Sequence, residues 1–152
     1  MAKLTNPNID KSPIRFDFRY LNLVSKGDFS YVAKKDKLCF KDLQTFLYET
    51  SLNYSSLEEV ITVYTSKKGS KVKAKESKYV REIFKQLEAN KNKKDILLNN
   101  FLESNRGVKN QDLTHIHLHP NGNGKAVILG INYEKTFYVF AIDAQHDFNK
   151  KS

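Results

Sequence analysis

Three of the four histidines, His115, His117 and His119, alternate within the stretch LTHIHLHPNGNGK at 113–125. Imidazoles titrate near neutrality, so each can take or give a proton under physiological conditions. On an extended strand the three share one face while Ile116 and Leu118 take the other, and a rise of ~3.3 Å per residue sets neighbouring histidines ~6–7 Å apart. That separation lets two of them flank a phosphate as base and acid for attack of a ribose 2′-hydroxyl. It equally lets two converge on a metal ion, with a further ligand from His146, Asp143 or Asp147. A third reading is a solvated strand face with no chemistry. The chain has no H-E-x-x-H and no C-x-x-C, so the expectation is a site without metal or cofactor.

The fourth histidine lies in IDAQHDFNK, just past the apolar run TFYVFAID. In a continuous antiparallel meander the segments 113–119 and 136–143 run the same way and finish at one end of the sheet. His119 and His146 would then meet, with Asp143 or Asp147 to orient a ring and fix its tautomer. The roles follow. His117 or His119 is the general base and His146 the general acid, with His115 and Asp143 beside them and a nearby Lys or Arg to stabilise the charged phosphorane.

The elements that must position these groups can be read from periodicity. Residues 14–24, IRFDFRYLNLV, alternate, with Phe16, Phe18 and Tyr20 on one face and Arg15, Asp17 and Arg19 on the other, so a strand is expected. FSYVA at 29–33 offers a hairpin partner after the KGD turn. Leu38, Leu43, Phe46 and Leu47 predict a helix over about 40–51, with Cys39 a core candidate. Ser55 and Ser56 precede Glu58 and Glu59 by three residues and mark a second helix start, with Leu57, Val60, Ile61 and Tyr64 as its buried stripe. Val80, Ile83, Phe84 and Leu87 predict an amphipathic helix over 77–90. Asp95 caps a further helix that SNRG at 104–107 ends. Strands at 113–119, 125–132 and 136–143 follow, joined by PNGNG and YEK. The last should be central, covered by helices on one side. The expected fold is a single α+β domain: an antiparallel sheet, made of an N-terminal strand or hairpin and a C-terminal three-strand meander, packed with three to four central helices.

Charge is concentrated. The chain carries a net +9 over 152 residues, and between Lys67 and Lys94 eleven Lys/Arg face three acids, a local +8. The rest is nearly neutral. Such a segment suits a polyanion, because each phosphate neutralised releases counterions. Lysine outnumbers arginine there ten to one, which favours backbone contact over bidentate base reading. The expected nucleic-acid contacts are Lys67, Lys68, Lys71, Lys73, Lys75, Lys78, Arg81 and Lys85, with Tyr64 and Tyr79 placed to stack on unpaired bases. RNA is the favoured partner, an acidic protein such as an antitoxin the other, and a solvated lysine-rich face the alternative to both. No apolar run approaches the ~20 residues of a membrane span, the first residues lack a secretory apolar stretch, and Cys39 is the only cysteine. A cytoplasmic protein without membrane partners is expected. GNGK at 122–125 lacks the spacing of a phosphate loop, and no G-x-S-x-G occurs.

Two short resemblances bear on activity. HIHLHP at 115–120 resembles the H-x-H-x-H signature of the histidine triad family, which implies a nucleotide hydrolase or transferase with His117 as nucleophile; Pro120 departs from the apolar residue usual there. A strand followed by D-x-x-H-x-F, here Asp143, His146 and Phe148, is similar to short prokaryotic proteins found beside mobile elements and toxin–antitoxin systems. That likeness implies a small toxin or phage-defence protein acting on RNA. The resulting expectation is an RNA-binding protein, with a metal-independent toxin-type endoribonuclease as its sharper form. A non-catalytic regulator using the basic segment is the alternative.

Overall fold

The computed structural model describes residues 14–24, 37–65, 70–120, 126–144, 146 and 148, without the side chains of 22 and 37–40. The 29–33 hairpin partner, the PNGNG turn at 120–124 beyond Pro120, Lys67, Lys68, Asp147 and the Cys39 side chain therefore lie outside the described residues. The fold is α+β. Strand β1 (Arg15–Asp17) leads through a 3-10 turn (Arg19–Leu23) to helices α1 (Lys37–Asn53) and α2 (Leu57–Val63). Strand β2 (Lys71–Lys73), helices α3 (Lys78–Ala89) and α4 (Ile96–Ser104), and a 3-10 turn (Val108–Asn110) follow. The meander β3 (Asp112–His117), β4 (Val127–Tyr133) and β5 (Thr136–Asp143) completes the sheet. No helix among the described residues is long and apolar enough to cross a membrane.

The strand order is β1-β5-β4-β3-β2. All pairs are antiparallel except β1 with β5, which is parallel. The N-terminal strand thus joins the C-terminal sheet as expected, and β5 lies inside the sheet between β1 and β4, with β4 the middle strand. Both faces are covered rather than one. Leu43 and Phe46 of α1 with Leu57 and Val60 of α2 pack on Ile116, Ile128, Phe137, Val139 and Ile142. Val80, Ile83, Phe84 and Leu87 of α3 with Leu98 and Phe101 of α4 pack on Leu113, Val127, Leu129, Phe140 and Ala141 on the other side. Continuous apolar runs such as AVILGI are what two buried faces demand. Phe140 and Ala141 share a face because the register slips between Leu129 and Gly130, a bulge that inserts one residue into β5. Gly130 accommodates it. A Cβ there would overlap the Tyr138 carbonyl oxygen and stand 2.8 Å from its carbon.

Caps fix the helix starts. The Ser56 hydroxyl accepts from the Glu59 amide at 3.2 Å, while the Glu59 carboxylate reaches back to the Ser55 amide and hydroxyl at 3.0 and 2.6 Å. Ser77 caps α3 through the Val80 amide and Asp95 caps α4 through the Leu98 amide. Strand β1 is shorter than the alternation predicts. The Asp17 carboxylate accepts from the Arg19 amide at 2.9 Å and from its guanidinium at 2.7 Å, which closes a local turn where the strand would continue. Tyr20 consequently enters the α3/α4 core, where its hydroxyl donates to Asp95, while Phe16 and Phe18 pack on the α1/α2 side.

Strands β4 and β5 are joined by the two-residue turn Glu134–Lys135, with φ of 49° and 66°. Both lie in the left-handed region, where a type I′ hairpin turn prefers Asn-Gly. Replacing Glu134→Asn with Lys135→Gly removes this strain, and chemical unfolding should show stability raised by about 1 kcal/mol.

Candidate functional site

The histidines are not a solvated face. His115 is 5% exposed and His117 4%, both on the side of β3 that faces the α3/α4 core with Leu113. Their backbone amides are satisfied from the neighbouring chain: His115 donates to the Ser70 carbonyl and His117 to the Tyr64 carbonyl, each at 2.8 Å. The Nδ1 of His115 also lies 3.1 Å from the Ser70 oxygen. A carbonyl only accepts, so Nδ1 carries the proton and the neutral ring is held in one tautomer. Burial, reinforced by His117, pushes the His115 pKa down to about 4.

His146 completes the group. Beyond β5 the chain turns back, with His146 in a left-handed conformation at φ 61°, and four rings close on one another. His115 meets His117 at 5.4 Å between centroids, His117 meets His146 at 5.2 Å, His146 meets Phe148 at 4.4 Å, and Phe148 meets His115 at 4.8 Å. The turn is pinned from both ends. The Asp143 carboxylate accepts from the Phe148 amide at 2.7 Å, and the Ser77 hydroxyl donates to the Phe148 carbonyl while its oxygen caps α3. Ring contacts and these bonds hold His146 in a conformation that costs about 1–3 kcal/mol by itself.

The common strand end therefore does bring histidines together, but His117 rather than His119 receives His146. Strand β3 stops at His117, the alternation lapses, and His119 turns toward α1, where its Nε2 lies 3.4 Å from the Asp42 carboxylate. The base and acid assigned to His119 and His146 are not adjacent. His115 and His117 are sealed from solvent, and the half-buried His146 is the cluster's one partly open imidazole. Among the described residues no group of three or more His, Cys, Asp or Glu is arranged to hold a metal ion.

The basic segment is open. Among the described residues strand β2 pairs only with β3 and forms a sheet edge, where Lys71 and Lys73 are exposed and Val72 turns inward. Lys75 and Lys78 continue the exposed row around the turn into α3. The Arg81 guanidinium donates to the Ala74 carbonyl at 2.7 Å, locking that turn to the helix, and Lys85 is exposed one turn further on. Lys71 has one weak counter-charge, Asp112 at 3.8 Å. Arg15, Asp17 and Arg19 lie at the opposite edge of the sheet from β2, with Asp17 and Arg19 paired to each other. Tyr64 and Tyr79 are both buried, Tyr64 against Phe46 at 5.0 Å, so neither offers a face to a base. Arg106 and Gln111 stand beside α3 although no periodicity singles them out; they come from the irregular 105–111 connection.

A scan against protein-family models finds no match, and searches of curated proteins and of solved structures find none either. The likeness to the histidine triad family rests on 115–120 alone, and in that stretch the nucleophile it implies, His117, is buried.

The lowered His115 pKa couples the ring cluster to pH. A base whose folded pKa lies below its unfolded value adds stability that is complete above about pH 6.5 and lost as pH falls toward 4. The loss is on the order of 2–3 kcal/mol after allowing for solvent screening. Thermal unfolding at pH 7.5 and 4.5 should show a smaller acid shift in His115→Gln, which keeps a donor for Ser70 but does not titrate.

Proposed function

We propose that the chain is an RNA-binding protein whose contact surface is the edge strand β2, the following turn and the outer face of α3. One observation carries the reading: Lys71, Lys73, Lys75, Lys78 and Lys85 are all exposed along one stretch, with a single weak ion pair to them among the described residues. Ammonium groups set in a row neutralise successive phosphates without reading bases, so affinity should be salt-sensitive and tolerant of sequence. The histidine cluster then serves the fold, joining the segment after β5 to β3 and α3. An acidic protein partner would meet the same lysines, but without counterion release from a dense phosphate backbone.

A second reading, the metal-independent endoribonuclease of toxin type, draws support from one contact, His117 against the half-buried His146 at 5.2 Å. Incubation of labelled mixed-sequence RNA in EDTA with the protein and with His146→Ala separates the two. Intact RNA leaves the binder, and cleavage that survives chelation but is lost in the variant establishes the nuclease.

For binding itself, Lys73→Ala, Lys75→Ala and Lys78→Ala should weaken RNA affinity to a similar degree across sequences. Each should reduce the slope of log K against log salt by about 0.7 for a single strand. Absence of binding at low salt, or a slope unchanged in all three variants, would overturn the proposal.

A further inference from the structure

A groove with a volume of about 450 Å³ runs between α3 and the connection that follows α4. That size falls within the range of small-ligand sites. Phe84, Ala89, Leu102 and Val108 give it apolar surface, and Arg81, Lys85 and Arg106 line it with positive charge. Val108 is 46% exposed, an apolar side chain left open beside the groove. Gly107, with φ 83°, turns the chain just before it, so Val108 is carried on the 3-10 turn rather than on α4. Gln111 also lines the groove. Its backbone is engaged, accepting from the Ala74 amide at 2.8 Å, and its side-chain amide makes no hydrogen bond among the described residues.

We infer that this groove takes one unpaired nucleotide of a bound RNA strand. The inference rests on the RNA-binding reading above and adds what that reading lacks, a place for a base. An unpaired nucleotide presents a flat apolar ring, a polar edge with donors and acceptors, and a phosphate. The groove presents Val108 and Ala89 to the ring, the Gln111 amide to the edge, and Lys85 and Arg106 to the phosphate. Arg106 is held by Glu103 at 2.9 Å in a largely exposed pair and is released at little cost; the Glu88 in the groove is likewise paired with Lys91 at 2.6 Å. Arg81 and Lys85 belong to both surfaces. A strand that follows the lysines from β2 along α3 is therefore led into the groove. A base inside a duplex cannot follow it there, because its ring is stacked and its edge already paired.

The test is fluorescence anisotropy with a labelled mixed-sequence RNA, single-stranded and annealed to its complement, at fixed salt. Wild-type protein should prefer the single strand about tenfold. Val108→Ser with Gln111→Ala should abolish that preference while leaving duplex affinity unchanged, and Lys85→Glu with Arg106→Glu should weaken the single strand more than the duplex. Lys71→Glu with Lys73→Glu and Lys75→Glu should weaken both forms alike. Circular dichroism checks that each variant is folded. If wild type binds both forms equally, or the Val108/Gln111 variant keeps the preference, the groove assignment falls while the lysine surface stands. If wild type binds neither form, both fall together.

Discussion

A sheet with helices on both faces has no side for polar groups to face water, and that constraint governs this protein. Strand β3 carries Thr114, His115 and His117 into the interior, where each polar atom must find its partner within the fold. The solution is local. The Tyr64 and Ser70 carbonyls stand beside β3, where Tyr64 accepts from the His117 amide and Ser70 accepts from both the amide and the ring of His115. The segment after β5 brings His146 and Phe148 to close the cluster, and Ser77 joins that closure to the first turn of α3. His115 occupies a place where leucine would also pack, but its Nδ1, held at the Ser70 carbonyl, fixes the ring's orientation as leucine could not.

Much of the architecture was legible in the sequence. The caps at Ser56 and Asp95 and the stripe of Val80, Ile83, Phe84 and Leu87 located three helices because capping and periodicity are local effects. The meander was legible for the same reason. Misreadings arose where a single side chain overrode the period. Arg15 to Tyr20 alternates like a long strand, yet the Asp17–Arg19 pair ends it after three residues and sends Tyr20 to the opposite face from Phe16. His119 alternates with His117 in sequence but not in space, since the strand has ended. Whether the histidine row faced water or core depended on which helices cover the sheet, a tertiary fact that no window of sequence contains.

The charged surface shows the opposite balance. Lysines 71 to 85 were legible as a basic run because charge density is a property of the chain, and the fold leaves those described exposed. The two tyrosines that seemed fit to stack on bases were drawn into the two cores instead. Lysines on an open strand edge also have a second physical role: Lys71 and Lys73 discourage a neighbouring strand from adding to β2. One pair of side chains thus serves both recognition and protection.

The parallel pairing of β1 with β5 has a consequence for how the molecule is made. Arg15 pairs with Thr136, and Asp17 with Tyr138, across almost the whole described chain. Ser77 likewise waits for Phe148. Local helices can form early, but neither sheet edge beyond β5 nor the ring cluster can close until the last strand exists. Contacts of such long sequence separation slow folding, because a large loop must be ordered before any of them forms. The N-terminal segment, with Phe16 and Phe18 still uncovered, is thus the part of the nascent chain that depends longest on avoiding other partners.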